Sequence, residues 1–211
     1  IPFSLFAALL LLFLANNFFL SEKNYLSRID GIILFLMFIL FVYYVYTQLK
    51  SEPISQSISI DLYSNKKIAL LIIVGLSGLT LGGRLVVSSS VEIARILNVS
   101  EKLIGLTIVA AGTSLPEFAT SVVAAIKKNN DIAIGNIIGS NIFNIFFILS
   151  VSALINPIKY NSKFNIDLYF LILGTALLFV TMFTGRKKRL DRLEAIVLIL
   201  MYFLYGYFFM N

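Results

Sequence analysis

A chain of 211 residues that is 59% hydrophobic and only 13% charged, with a mean hydropathy of +0.92, excludes a soluble globular domain and reads as an all-α polytopic membrane protein. Neither Cys nor His occurs, which excludes zinc, haem and thiolate sites, removes the base of a Ser/His protease, and leaves only oxygen ligands for hard cations. The net charge of +6 does not mark a nucleic-acid binder, because nearly all of the 17 basic residues are spread over the loops between apolar runs.

Seven segments reach or approach the roughly 20 residues that cross hydrocarbon as a helix. The first, Phe3 to Leu20, has no basic residue ahead of it and no small-residue cleavage site after it, so it is not a signal peptide. The second runs from Ile29 to Leu49. Ser51 to Asp61, with Pro53 and several Ser, reads as a linker. The third segment, Ile68 to Val87, carries Arg84 near one end. Asn98-Val99-Ser100 matches a glycosylation sequon, but its position between two helices assigns it to capping.

The fourth segment, Leu103 to Ile126, holds Glu117 near its middle, with no Lys or Arg inside the same run. A carboxylate at that depth costs roughly 3 kcal/mol and marks a functional site by default, so the expected partner is a mobile cation. At helical spacing Ala110, Thr113, Ser114, Glu117 and Ser121 form one polar stripe. Pro116 cannot donate to the carbonyl of Gly112, so carbonyls from Ala110 to Gly112 are expected to be freed as neutral ligands beside the charged one. In the fifth segment, Ile132 to Ile155, Asn136, Ser140 and Asn144 recur every four residues and share a face. Asn136 and Asn141 read as interhelix glue, Ser140 and Asn144 as site residues at the depth of Glu117. Gly135 and Gly139 have the spacing that lets two membrane helices approach closely.

The sixth and seventh segments run from Ile166 to Thr184 and from Leu193 to Phe209. Arg28 to Met37 matches Arg192 to Met201, and the register continues through Leu40 with Leu204 and Tyr43 with Tyr207. Copies five spans apart have opposite orientations, the inverted-repeat design of secondary transporters. The third to fifth segments then lack partners, and the chain starts at Ile1 and not Met, so the partner expected for this chain is a preceding half of the same protein. Ten basic residues lie in the loops after the second, fourth and sixth segments, against seven on the other side. That bias places Lys50 to Lys67 in the cytoplasm and Asn211 outside a cell membrane whose lipids are the chain's other contacts.

Gly112-Thr113-Ser114-Leu115-Pro116-Glu117, then Gly135-Asn136-Ile137-Ile138-Gly139-Ser140-Asn141-Ile142-Phe143-Asn144, resembles the second alpha-repeat of the calcium/cation antiporter superfamily, with Val91 to Ser100 upstream also similar. The likeness is to the prokaryotic sodium/calcium exchangers and is strong from about Gly82 to Pro157. It implies a fold of ten transmembrane helices in two inverted units of five, of which residues 1–49 would be the last two helices of the first unit, 50–66 a cytoplasmic linker and 67–211 the second unit. It further implies a secondary transporter and not an enzyme, exchanging Na⁺ for Ca²⁺ by alternating access, with no organic cofactor. Glu117 would bridge the ion sites, Thr113 and Ser114 would give hydroxyl or carbonyl oxygens, Ala110 a carbonyl, and Ser140 and Asn144 ligands from the next helix. The third segment resembles the helix that slides during exchange. Asn144, where the family has Asp or Asn, argues against potassium dependence. The alternatives are a proton-coupled exchanger of the same superfamily, which the Thr113-Ser114 hydroxyls disfavour, and a cation channel or non-transporting subunit.

Overall fold

The computed structural model describes residues 1–16, 25–51, 63–99, 101–184 and 192–210. The end of the first expected segment, most of the linker at 52–62, the basic cluster at 186–189 and Asn211 therefore lie outside the described residues. Helices dominate: α1 Pro2–Ala15, α2 Arg28–Ser51, α3 Asn65–Ile96, α4 Glu101–Ile104, α5 Ala110–Thr113, α6 Leu115–Ile126, α7 Asn130–Phe143, α8 Leu149–Ile155, α9 Asn165–Thr184 and α10 Arg192–Met210. Gly105–Val109 and Asn144–Ile148 are π-helical insertions joining α4 to α5 and α7 to α8. Among the described residues, four helical runs are long and apolar enough to cross a membrane: Arg28–Lys50, Asn65–Ile96, Asn130–Ile155 and Ser162–Thr181. Thr107–Thr113 and Leu115–Ile126 make a fifth if the pair, bent by 56°, is one span. Pro2–Ala15 and Leu193–Gly206 are shorter apolar helices. The chain is an all-α polytopic membrane protein.

Two compact units divide the chain, one of Ile1–Ser51 with Ile138–Asn211 and one of Glu52–Ile137. The first contains the hydrophobic core, built on Ala7, Ala8, Leu11, Leu34, Ile142, Phe146 and Ala153. In lipid, apolar burial between helices gains little, so association rests on close packing. That is why small residues sit at the contacts. A methyl on Gly31 of α2 would stand 3.0 Å from the Ser150 carbonyl and 3.2 Å from Ala153 Cβ on α8. Phe38, Phe143 and Phe147 fill the adjacent layer, with Phe143 and Phe147 stacked at 4.9 Å between centroids. Polar links hold the ends. Asn16 and Asn165 exchange side-chain hydrogen bonds of 2.8 Å each way, and the Tyr160 hydroxyl donates to Asn165 Oδ1 at 2.7 Å. Burial, then the electrostatic influence of Asp167 and of Tyr169, pushes the Tyr160 phenol above its ordinary range. A two-residue antiparallel bridge pairs Tyr25–Leu26 (β1) with Ile158–Lys159 (β2).

Asp30 explains part of the internal similarity. Its carboxylate accepts from the Ser27 amide at 2.7 Å and the Ser27 hydroxyl at 2.6 Å, while its own amide donates back to Ser27 Oγ at 3.2 Å. This is a capping box closing the start of α2. Glu194 occupies the matching place in the first turn of α10.

The second unit is organised by α3, a helix of 32 residues, about 48 Å at 1.5 Å per residue. That exceeds the roughly 30 Å of hydrocarbon, so the helix must tilt or project. It continues past the expected end at Val87 because no Gly or Pro interrupts Ser88 to Ile96, and it stops where Asn98 adopts φ 56°. The Asn98 amide then reaches the Arg95 carbonyl and that of Val99 the Ala94 carbonyl, a Schellman close. Asn98 is thus a helix terminator, as its position suggested. Of the α3 side chains only Ala94 is buried.

Candidate functional site

The fourth expected segment is not one helix. A π insertion at Gly105–Val109 precedes α5, and Ser114 (φ −95°, ψ 2°) then breaks the run before α6 begins with Pro116 in its first positions. The expected single polar stripe is accordingly corrected. Ala110 and Thr113 lie before the break, Glu117 and Ser121 after it, because the Ser114 break and the 56° bend interrupt the angular register between them. The Ser114 amide turns to the Ala111 carbonyl at 3.1 Å, and Pro116 has no amide to give Gly112. Ser114 is the N-cap of α6 but its side chain makes no cap hydrogen bond. Thr113 and Ser114 are exposed.

Glu117 occupies the first turn of α6, where the helix dipole favours an anion. The residue is half-buried, yet its Oε2 is fully buried and has no hydrogen-bond partner among the described residues. Such an oxygen has lost its water without gaining a donor, a cost of a few kcal/mol unless a cation meets it. Its backbone is held firmly. Asn136 Nδ2 of α7 donates to the Glu117 carbonyl at 3.0 Å and to Ser121 Oγ at 3.0 Å, and Ser121 Oγ donates on to the Ala133 carbonyl at 3.5 Å. Asn136 is therefore interhelix glue, as its spacing indicated, and what it glues is the turn that carries Glu117. Among the described residues no three acidic side chains converge.

Gly112 packs against α3: a methyl there would come within 1.9 Å of Val87 Cγ2. One on Gly83 would stand 4.0 Å from the Gly112 carbonyl. A methyl at Gly135 or Gly139 meets no described atom within 4 Å, so their spacing is not used against another described helix. Spacing alone identifies small residues but not the neighbour. Between α3 and the broken helix lies a cavity of about 480 Å³ bordered by Gly83, Arg84, Ser88, Gly112, Thr113 and Pro116. Reading Arg84 as an orientation charge overlooked this; its place inside a membrane-length helix was the available signal. In the first unit, Ser140 is half-buried on α7 and Asn144, exposed, opens the second π insertion.

Residues 67–211 match the sodium/calcium exchanger protein family. The chain is 40% identical over 138 residues to CaxA of Alkalimonas amylolytica, covering 64% of this chain and 43% of that protein. It is 43% identical over 115 residues to the sodium/calcium exchanger MaX1 of Methanosarcina acetivorans, covering 54% of this chain and 33% of MaX1. The solved structure of the sodium-calcium exchanger NCX_Mj, soaked with 2.5 mM Na⁺ and 10 mM Sr²⁺, superimposes with a TM-score of 0.72 at 29% identity, over 96% of this chain and 61% of that one. The chain thus spans less than half of these two curated relatives. With a family match over more than half of its residues, it belongs to the sodium/calcium exchanger family.

Proposed function

We propose that this chain is the larger C-terminal part of a secondary transporter that exchanges Na⁺ for Ca²⁺ by alternating access. The observation that carries the proposal is Glu117: a buried, unpartnered carboxylate oxygen on the first turn of a helix that restarts after a break inside an apolar span. In this reading Glu117 binds both ions, Ala110 offers its carbonyl, Thr113 and Ser114 hydroxyl or carbonyl oxygens, and Ser140 and Asn144 complete this chain's share. One carboxylate and a few neutral oxygens fall short of the 6 to 8 that Ca²⁺ takes, so the remaining ligands come from the part of the protein that the chain does not include. Residues 1–49 are then the end of a first repeat, 50–66 a cytoplasmic linker and 67–211 the second repeat, a division by sequence symmetry and not by packing. The tilted α3 is the element that slides as the site changes sides, in the membrane of the cell.

Proteoliposomes carrying the full gene product and loaded with Na⁺ test this. ⁴⁵Ca²⁺ uptake driven by the outward Na⁺ gradient is the expected result. Uptake that follows a pH gradient and ignores Na⁺ would assign proton coupling, and Ca²⁺ conductance independent of both gradients would assign a channel.

A further inference from the structure

Resting on the exchanger reading, we propose that Arg84 is a specificity-determining residue: a fixed positive charge that lowers the preference of the ion path for divalent over monovalent cations. Arg84 is the twentieth of the 32 residues of α3 and borders the same cavity as Gly112, Thr113 and Pro116. The adjacent Gly83 brings this turn of α3 to within 4.0 Å, measured from a built methyl, of the Gly112 carbonyl. The flanking hydroxyls spend their protons on their own helix: Thr80 donates to the Leu76 carbonyl at 2.8 Å and Ser88 to the Leu85 carbonyl at 3.1 Å. No carboxylate pairs with Arg84 among the described residues. A guanidinium keeps its charge at any physiological pH, so the field it puts into the cavity is permanent. The electrostatic work on an ion scales with the ion's charge, and a Ca²⁺ entering that field is opposed twice as strongly as a Na⁺ at the same place.

The charge series Arg84→Lys, Arg84→Gln and Arg84→Glu in the full gene product, reconstituted in proteoliposomes, tests this. For each variant the half-saturating Ca²⁺ of ⁴⁵Ca²⁺ self-exchange is measured, with the Na⁺ concentration that half-inhibits it at Ca²⁺ far below half-saturation, at low and high N-methylglucamine chloride. Arg84→Gln is expected to lower both, the fold-change for Ca²⁺ being the square of that for Na⁺; a shift of about threefold for Na⁺ goes with about tenfold for Ca²⁺. Arg84→Glu moves both further in the same direction, Arg84→Lys stays with the unmodified protein, and the inert salt shrinks the differences. Equal fold-changes for the two ions, no change at all, or Arg84→Lys behaving as Arg84→Gln would overturn the proposal. Should Arg84→Glu fail to insert, the Lys and Gln variants decide alone. If the unmodified protein carries no Na⁺-driven Ca²⁺ flux the exchanger reading itself fails, whereas flux without a charge trend sinks only the role of Arg84.

Discussion

Glu117 combines two properties that rarely coexist in a membrane helix: a carboxylate oxygen shut away from solvent and no donor to satisfy it among the described residues. Gln at this position keeps the size and removes the charge, so Glu117→Gln should reduce Ca²⁺ exchange by more than about 100-fold while the protein remains folded, a scale set by losing a unit charge near a divalent ion. ⁴⁵Ca²⁺ flux alongside size-exclusion chromatography measures both, and near-normal flux would remove Glu117 from the site. Asn144 offers a neutral oxygen on an exposed turn at the start of a π insertion. Asn144→Asp is expected to change ion selectivity or introduce potassium dependence without loss of expression, whereas unchanged ion dependence in Asn144→Ala would make the residue structural.

At the scale of elements, the site is a break held from two sides. Asn136 of α7 pins the Glu117 carbonyl at 3.0 Å, and Gly112 lets α3 lie directly against the turn that precedes the break. Gly112→Ala would drive a methyl to within 1.9 Å of Val87 Cγ2. Overpacking of this kind costs about 1–3 kcal/mol, and here the displaced element carries candidate ligands. Lower thermal stability of the purified protein and reduced flux are therefore expected, with the double variant Gly112→Ala/Val87→Ala recovering most of both, because the two changes share one contact. Independent, additive losses in the double variant would show that Gly112 matters for some reason other than this packing.

At the scale of the molecule, packing is uneven. The core residues Ala7, Leu34, Phe146 and Ala153 all fall in the unit of Ile1–Ser51 and Ile138–Asn211, while α3 in the other unit buries only Ala94 and exposes Leu71, Ile73, Val74 and Leu76. An apolar surface of that extent needs lipid or another part of the protein against it. The charge bias predicts the arrangement across the bilayer: with Cys absent, single cysteines at positions 58 and 211 can be introduced cleanly. A membrane-impermeant maleimide on intact cells should label position 211 and spare position 58. The reverse pattern would invert the orientation.

Hydropathy and residue type by themselves determined the all-α membrane class, the helices at Arg28–Ser51, Asn165–Thr184 and Arg192–Met210 to within two residues of their ends, and the singling out of Glu117. These are properties of one residue or one run, and the low dielectric of the bilayer enforces them whatever the neighbours are. Pro116 signalled a disturbed helix, but the angular stripe drawn through Ala110 to Ser121 assumed 100° per residue throughout. The Ser114 break and the bend that follows it invalidate that assumption, and no local propensity announces where they fall. Among the described residues, close packing occurs at Gly31 and Gly112, which no spacing singled out. Which small residue meets a neighbour depends on where a distant helix lies. The same holds for Asn136 on the Glu117 carbonyl, 19 residues apart, and for the cavity that Arg84 and Gly112 both border, which only the tertiary structure decides, because a side chain's surroundings across a helix interface are set by packing and not by its own sequence.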